Sequence, residues 1–370
     1  MKGTTAAVAG VGYSQIVRRS DHTALKFALD AAVDAMADAG VATPDIDGIV
    51  TCAAAPNRAA RHDDGVDDVS MFILEEALGL KGLEFRLDTD LMSGSMVAAA
   101  THAIASGACR CVLIVKAHYN DSASRYSDQR IESIGGPPQF RLPYGLGLGM
   151  QRAFWLKRYM HDHGARREDL YPIVRMARNH AAKNPVAIWR DRALSRDEYI
   201  AAPWFCEPMS LLDVDMPVCG AGALLMVSAE MGKALGRPLA HVKACCMQDS
   251  IRGVLSDNEL DAGRLPVAQI YDGYGMFILH WLEHLGICEP GQAWKFIQDG
   301  AIELGGKLPL NTFGGSLGEG RLHGIGHLRE GALQAMGRAG ERQVESGGRH
   351  SLVQIGVPEN SWCVLFAAEP

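Results

Sequence analysis

The chain has 370 residues, 48% hydrophobic and 21% charged, with 36 basic against 43 acidic side chains and a formal net charge of −7. A chain of that length buries a large core and predicts more than one folded unit, at roughly 100–200 residues each. The mixed charge leaves no basic face for a nucleic-acid backbone, and the longest uncharged apolar run, Met216 to Ala229, falls short of the roughly 20 residues that span a bilayer.

Ala6 to Val11 predicts a strand, interrupted too early by Gly10 and Gly12 to serve as a secretory signal. Leu25, Leu29, Val33 and Met36 then recur at helical spacing as far as Gly40, a helix-ending residue. A strand is predicted at Ile46 to Thr51, a helix at Phe72 to Leu80 and a short strand at Phe85 to Leu87. An alanine-rich helix at Met96 to Ser106 leads to an apolar strand at Cys111 to Lys116. Alternation of this kind builds a sheet covered on both faces. From about Tyr119 to Asp213 the chain becomes glycine- and proline-rich, then charged and helical around Arg152 to His163 and Leu170 to Ala182, which predicts an insertion. The alternation resumes with a strand at Gly220 to Ser228 and a helix at Ala229 to Leu235. After the linker Gly236-Arg237-Pro238, a strand at Ala240 to Met247 opens a second α/β half. Helices are predicted there at Tyr274 to Leu285, Ala293 to Asp299 and Leu328 to Met336, with closing strands at Ser351 to Ile355 and Trp362 to Ala367. The division predicted is 1–235, carrying an insertion at about 119–213, and 236–370.

Nine cysteines with no Cys-x-x-Cys spacing predict reduced thiols in a cytoplasmic protein, each most simply a small buried hydrophobe. Gly10-x-Gly12 after a strand suggests dinucleotide binding, but Gln15 fills the third glycine position and no acidic residue closes a second strand at the expected distance. Gly145-x-Gly147-x-Gly149 lacks the Lys-Ser/Thr of a phosphate loop. His161-x-His163 and His180 fall in charged helices, where a solvated face explains them better than a metal.

Four segments carry more information. Asp88-Thr89-Asp90-Leu91-Met92-Ser93-Gly94-Ser95 lies between a strand and the alanine-rich helix, and Cys219-Gly220-Ala221-Gly222-Ala223 follows the insertion. Ile270-Tyr271-Asp272-Gly273-Tyr274 precedes Glu283-x-x-Gly286. Leu308-Pro309-Leu310-Asn311-Thr312-Phe313-Gly314-Gly315 precedes Gly320-Arg321-Leu322-His323-Gly324. In this order, with Asn179 and Asn184-Pro185-x-Ala187 inside the insertion, the chain resembles the thiolase superfamily over nearly its whole length. The branch it resembles most is that of the sterol-carrier and lipid-transfer thiolase-like proteins.

The resemblance implies an α/β thiolase fold, with duplicated βαβαβαββ halves in a five-layered αβαβα arrangement and an inserted loop domain. It also implies a homodimer and acyl-CoA chemistry. In active thiolases the first motif reads Cys-x-Ser-Gly, and the helix N-terminus lowers the thiol pKa so that a thiolate attacks the acyl carbon. Aligned on Ser93-Gly94, that position here is Leu91. The family's Asn or His opening the third motif is matched by Tyr271, and the histidine of Gly-His-Pro by Arg321, with Leu322 in place of proline. Its late Cys-x-Gly falls near Gln354-Ile355-Gly356.

Without the cysteine, a Claisen-type reaction has nowhere to hold its acyl group, and Ser93 and Ser95 would need an adjacent base. Retro-aldol cleavage of a β-hydroxyacyl-CoA needs neither: a base takes the hydroxyl proton, the Cα–Cβ bond breaks, and donors hold the acyl-CoA enolate until it is protonated. The chain looks like the thiolase-like aldolases that shorten steroid or bile-acid side chains, which lack the cysteine, carry Tyr-Asp at the third motif and work with an OB-fold DUF35 partner. The catalytic residues expected are Tyr271 at the β-hydroxyl, Arg321 at the enolate oxygen, His323 in proton transfer and Asp272 orienting a neighbour. Leu91, Ser93, Tyr274, Asn311, Gly314 and Gly315 are expected to line or shape the substrate site. An unperturbed tyrosine has a pKa of about 10, so a base role for Tyr271 requires a cation such as Arg321 nearby. Plainer alternatives stand beside each: a buried tyrosine bonded to a carbonyl, an interface salt bridge at Arg321, a loop hydrogen bond at His323, a helix-dipole partner at Asp272. No cofactor is expected beyond coenzyme A as part of the substrate. Two other functions stay open: a non-catalytic lipid- or CoA-binding subunit of a heteromeric complex, and an acetyl-CoA acetyltransferase-type enzyme using another thiol such as Cys219.

Overall fold

The computed structural model describes residues 6–52, 63–89, 93–120, 136–345, 350–357 and 360–370. The chain opens with β1 (Ala6–Tyr13), α1 (Ala24–Ala39), β2 (Gly48–Thr51), α2 (Met71–Leu78), β3 (Phe85–Asp88), α3 (Ser93–Ala105) and β4 (Cys111–His118). An excursion follows through α4 (Leu148–His163), α5 (Tyr171–Ala181), α6 (Arg196–Ala201) and the small hairpin β5 (Trp204–Cys206) and β6 (Met209–Ser210). The chain returns as β7 (Gly220–Ser228), α7 (Ala229–Leu235), β8 (Ala240–Met247), α8 (Ile251–Asp257), β9 (Ala268–Ile270) and α9 (Met276–His284). It ends with α10 (Ala293–Phe296), α11 (Gly315–Glu319), α12 (Ile325–Met336), β10 (His350–Val357) and β11 (Asn360–Ala367).

Among the described residues, nine strands join in one mixed sheet of order β3-β2-β4-β7-β1-β8-β11-β10-β9. Outward from the short β1–β8 contact, where Ala7 faces His241 and Val8 faces Ala240, the pattern repeats. β1-β7-β4-β2 and β8-β11-β10-β9 each pair antiparallel, antiparallel, then parallel. β3 extends the first side as a further parallel neighbour, and Leu310 does the same for the second through one parallel bridge to Ala268.

Alternate residues of a strand face opposite sides, so each sheet face builds its own core. Ala7 and Ala9 of β1 pack against α1, whereas Ala6, Val8 and Val11 pack with α3 and α12. That second core also takes Val353 and Ile355 of β10 and Val364 and Phe366 of β11, so both sides of the sheet close on α3 and α12 as a central layer. A third core joins Ala268, Ile270, Leu352 and Cys363 to α9 and to α5 of the excursion. Three helical layers thus alternate with two sheet layers, the five-layered arrangement expected. Every residue of α12 is buried, its charges included. Arg329 is matched by Glu319, and Glu330 by Arg342 at 3.0 Å, as buried ions must be.

Helix α1 corrects one expectation. It starts at Thr23, whose side chain accepts the Lys26 N–H, and stops at Gly40 with φ 68°, but its buried face is Ala24, Phe27, Ala28, Ala31, Ala32, Ala35 and Ala39. Leu25, Leu29 and Met36 lie at its margin and Val33 is 52% exposed. The reason is on β1: a Cβ at Gly12 would sit 1.9 Å from the Ala31 carbonyl oxygen, and one at Gly10 2.5 Å from that of Ala35. Gly10-x-Gly12 therefore admits an alanine-faced helix close against a strand. No helix among the described residues is long and apolar enough to cross a membrane.

Candidate active site

Strand β9 delivers the Tyr271-Asp272-Gly273-Tyr274 turn. The Tyr271 N–H donates to the Gln354 carbonyl at 3.0 Å, which fixes the residue beside β10. Its ring packs near those of Phe277 and His327, with centroids 6.4 and 5.7 Å away. A Cβ on Gly273 would lie 2.8 Å from the Tyr271 hydroxyl, so this glycine makes room for the phenol. Tyr274 is 8% exposed and packs with Phe205 and Phe277.

Asp215, which the sequence reading did not single out, belongs to this cluster. It is 2% exposed, and its N–H donates to the Gly273 carbonyl at 3.2 Å. Val214 bridges Tyr274 in the antiparallel sense, Pro217 bridges Arg321 in the parallel sense, and the Arg321 N–H donates to the Met216 carbonyl at 2.9 Å. The segment from 214 to 217 thus stitches the tyrosine turn to the arginine loop. Burial, then the Asp215 charge, push the Tyr271 hydroxyl well above its ordinary range, with Arg321 opposing. The same causes push Tyr274 up to about 12, opposed by Arg321 and Arg152. Burial and the Asp215 charge thus outweigh Arg321, and both phenols keep their protons near neutral pH. The one available clue to Asp215 was its place as the last acid before the Cys219 motif.

Asp272 proves to be a holding residue. It is fully buried, its carboxylate accepts the N–H groups of Ser316 at 2.7 Å and Leu317 at 3.3 Å, and His327 Nε2 lies 3.1 Å from it. Its oxygens thus hold the start of α11 and face the His327 ring, and these are the neighbours that Asp272 orients. His327 was overlooked in the sequence; it is 1% exposed, and its Nδ1 has no hydrogen-bond partner among the described residues. Asn311 likewise turns inward. With φ 45° and no exposure, it accepts the Ile270 N–H at 2.6 Å and donates back to the Ile270 carbonyl at 2.7 Å, shaping the loop instead of lining a pocket. Gly315 has φ 63° and a Cβ there would fall 2.1 Å from Asp272 Oδ2; Gly314 has φ 105° and abuts Ala177 and Ala181 of α5. Glycine alone tolerates both the positive φ and the crowding.

Ser93 opens α3 and is fully buried, its hydroxyl donating to the His323 carbonyl at 2.7 Å. Lys116 Nζ approaches the same carbonyl at 3.4 Å. His323 holds φ 49°, and its ring lies 4.6 Å from that of His118. The N-terminus of α3 and the Arg321-Leu322-His323 loop are therefore neighbours. Leu91, two residues before Ser93, lies outside the described residues. All nine cysteines are free thiols. Cys219 is buried at 1%, its sulfur 3.4 Å from both the amide nitrogen and the carbonyl oxygen of Asn120. Burial pushes Cys109 and Cys246 up to about 11 and Cys288 up to about 12, the reverse of activation. No group of three or more metal-ligating side chains occurs among the described residues. His180 is not on a solvated face: it is 1% exposed, with Nδ1 3.1 Å from the Asn311 carbonyl.

A five-layered α/β fold in which the start of one central helix meets the loop before the other is the architecture of the thiolase class, here with a Tyr-Asp turn and an Arg-x-His loop at the positions of its catalytic motifs. Residues 242–357 match the family model described as thiolase C-terminal domain-like. Over 365 residues the chain is 30% identical to the 17-hydroxy-3-oxo-4-pregnene-20-carboxyl-CoA lyase of Mycobacterium tuberculosis, covering 90% of this chain and 92% of that protein. It is 31% identical over 360 residues to a steroid side-chain-cleaving aldolase of Thermomonospora curvata, covering 88% of each. The solved structure described as an Ltp2-ChsH2(DUF35) aldolase is 27% identical and superposes with a TM-score of 0.88 over 100% of this chain and 99% of that one. A monomeric SCP2-thiolase like protein from Mycobacterium smegmatis, 16% identical with a TM-score of 0.71, shares the fold over 100% of this chain and 78% of its own. The chain belongs to the thiolase-like aldolases of the thiolase superfamily.

Proposed function

We propose that the protein cleaves a β-hydroxyacyl-CoA by a retro-aldol reaction, giving a ketone or aldehyde and a shortened acyl-CoA, with a steroid or similarly branched side chain as the substrate class. The observation that carries this reading is Tyr271, a protonated phenol beside Asp215 and Arg321 in a chain whose sequence has Leu91 where the family's nucleophilic cysteine stands. The names of the two curated relatives, a lyase and an aldolase, support the same chemistry. In the proposed sequence His323 accepts the β-hydroxyl proton and the C–O bond becomes a carbonyl. The Cα–Cβ electron pair moves to the thioester as an enolate, whose oxygen Arg321 neutralises. Tyr271 then protonates Cα, and the proton held by His323 returns to the phenolate through solvent. Coenzyme A enters only as part of the substrate.

We further propose a homodimer that works with an OB-fold DUF35 partner in a reducing cytoplasm. The partner is suggested by the paired description of the Ltp2-ChsH2(DUF35) structure, and the compartment by the nine free cysteines. The test is to purify the chain alone and co-expressed with a DUF35 protein, then assay release of ketone and acyl-CoA from steroid and simple branched β-hydroxyacyl-CoA esters. Turnover that Tyr271→Phe abolishes in a folded protein is the expected result; no release from any of them rejects the reading and leaves a binding subunit.

A further inference from the structure

Helix α5 of the excursion packs on the active-site loop through Ala177 and Ala181, which abut Gly314, and adds one polar side chain, His180. His180 is almost wholly buried, and both of its ring nitrogens face acceptors: Nδ1 lies 3.1 Å from the Asn311 carbonyl and Nε2 3.5 Å from Oε2 of Glu303. Neither a carbonyl nor a carboxylate can donate, so the Nδ1 hydrogen is committed to Asn311, and a second hydrogen on Nε2 would meet Glu303. Glu303 is in turn held by Arg175 Nε at 3.1 Å and Asn179 Nδ2 at 3.2 Å, both on α5. Burial would raise the Glu303 carboxyl, but His180, Asn179 and Arg175 together hold it below its ordinary range, so it remains a carboxylate.

What this pairing grips is a strained turn. Asn311 sits at φ 45°, outside the usual range for a non-glycine residue, and needs surrounding contacts to stay there. Its side chain takes both the N–H and the carbonyl of Ile270, the residue before Tyr271. We propose that His180 and Glu303 form a clamp on the Asn311 turn that fixes the position of Tyr271, making His180 a positioning residue although it touches no reacting atom. The chain of contacts runs from Glu303 to His180 at ion-pair distance, then by hydrogen bonds from His180 to Asn311 and from Asn311 to Ile270. No other segment supplies a partner for the His180 ring among the described residues.

The inference rests on Tyr271 acting in the reaction, so its test has one readout that needs no turnover. Hydrogen exchange would be measured on the full chain, with its partner where one is required, for wild type, His180→Asn, His180→Leu and Glu303→Gln. His161→Asn, at an exposed ring on α4, serves as the control. Asn keeps a donor at the place of Nδ1 and loses only the Glu303 contact, whereas Leu loses both. Faster exchange is expected over residues 268–275 and 308–316, largest for His180→Leu and intermediate for His180→Asn and Glu303→Gln. In the same proteins kcat should fall on the order of tenfold for His180→Asn and a hundredfold for His180→Leu, with KM within about threefold, because misplacing a reacting group costs rate more than binding. Unchanged exchange in those segments overturns the clamp whether or not the enzyme turns over. Faster exchange with unchanged kcat also overturns it, since the turn would then move without consequence for Tyr271. If wild type itself cleaves nothing, the aldolase reading fails and the exchange data alone decide whether the clamp exists.

Discussion

Replacing Tyr271 with Phe removes one hydroxyl and leaves the ring that packs near Phe277 and His327. Tyr271→Phe should therefore lower kcat by about 10²–10⁴-fold, the usual scale for a positioned acid or base, with an unchanged unfolding midpoint. Arg321→Gln is expected to lower kcat by roughly 10²-fold, as loss of an enolate-stabilising donor does, and the two variants together should cost less than the product of the single losses because they act on one step. Tyr274 gives a pH test with a definite sign. Its hydroxyl titrates near 10 when unfolded and at about 12 when folded, so between those values the folded chain holds a proton that the unfolded chain has released. Stability must fall as pH rises through that window, and Tyr274→Phe should reduce the slope by about one proton. Denaturant midpoints at about pH 9 and about pH 11 check this.

At the scale of elements, the strands and helices from Gly220 to Met247 fall where the sequence places them, because turn residues and caps mark their ends locally. The face of α1 was not legible in the same way. Alanines carry little weight in a hydrophobic periodicity, and it is Gly10 and Gly12 on another element that select them. Gly12→Ala should destabilise the protein by about 1–3 kcal/mol or more through overpacking, read as a lowered denaturant midpoint with an unchanged slope. Gly315→Ala combines an unfavourable φ with a collision at Asp272, and is expected to reduce both stability and activity. The Tyr-Asp turn and the Arg-x-His loop were readable as motifs. Asp215, His327 and His180 were not, since each earns its place only through a neighbour distant in the chain.

For the whole molecule, the two sides of the sheet share α3 and α12 as a common layer, and α5 with the turn that follows it braces the second side through His180 and Asn184. Residues 236–370 expressed alone should therefore lack a cooperative unfolding transition by circular dichroism, even though their strand pattern repeats that of the first side. Arg329 lies in the same layer, paired with Glu319 and over the Tyr13 ring. Arg329→Ala should cost about 3–5 kcal/mol by leaving the Glu319 charge buried without its partner, while Arg329→Met with Glu319→Gln should recover most of that loss.

The sequence by itself determined the alternation of strands and helices, the excursion between β4 and β7, the absence of a thiol at the family's nucleophile position and the Tyr-Asp and Arg-x-His motifs. Those features are local: turn chemistry, periodicity and short runs of residues carry them. Only the tertiary structure decided that Tyr271 and Tyr274 keep their protons, that Asp272 and Asn311 hold the site together, and that Asp215 and His180 belong to it. Burial and charge proximity shift a titrating group, and both depend on which distant segments pack around it.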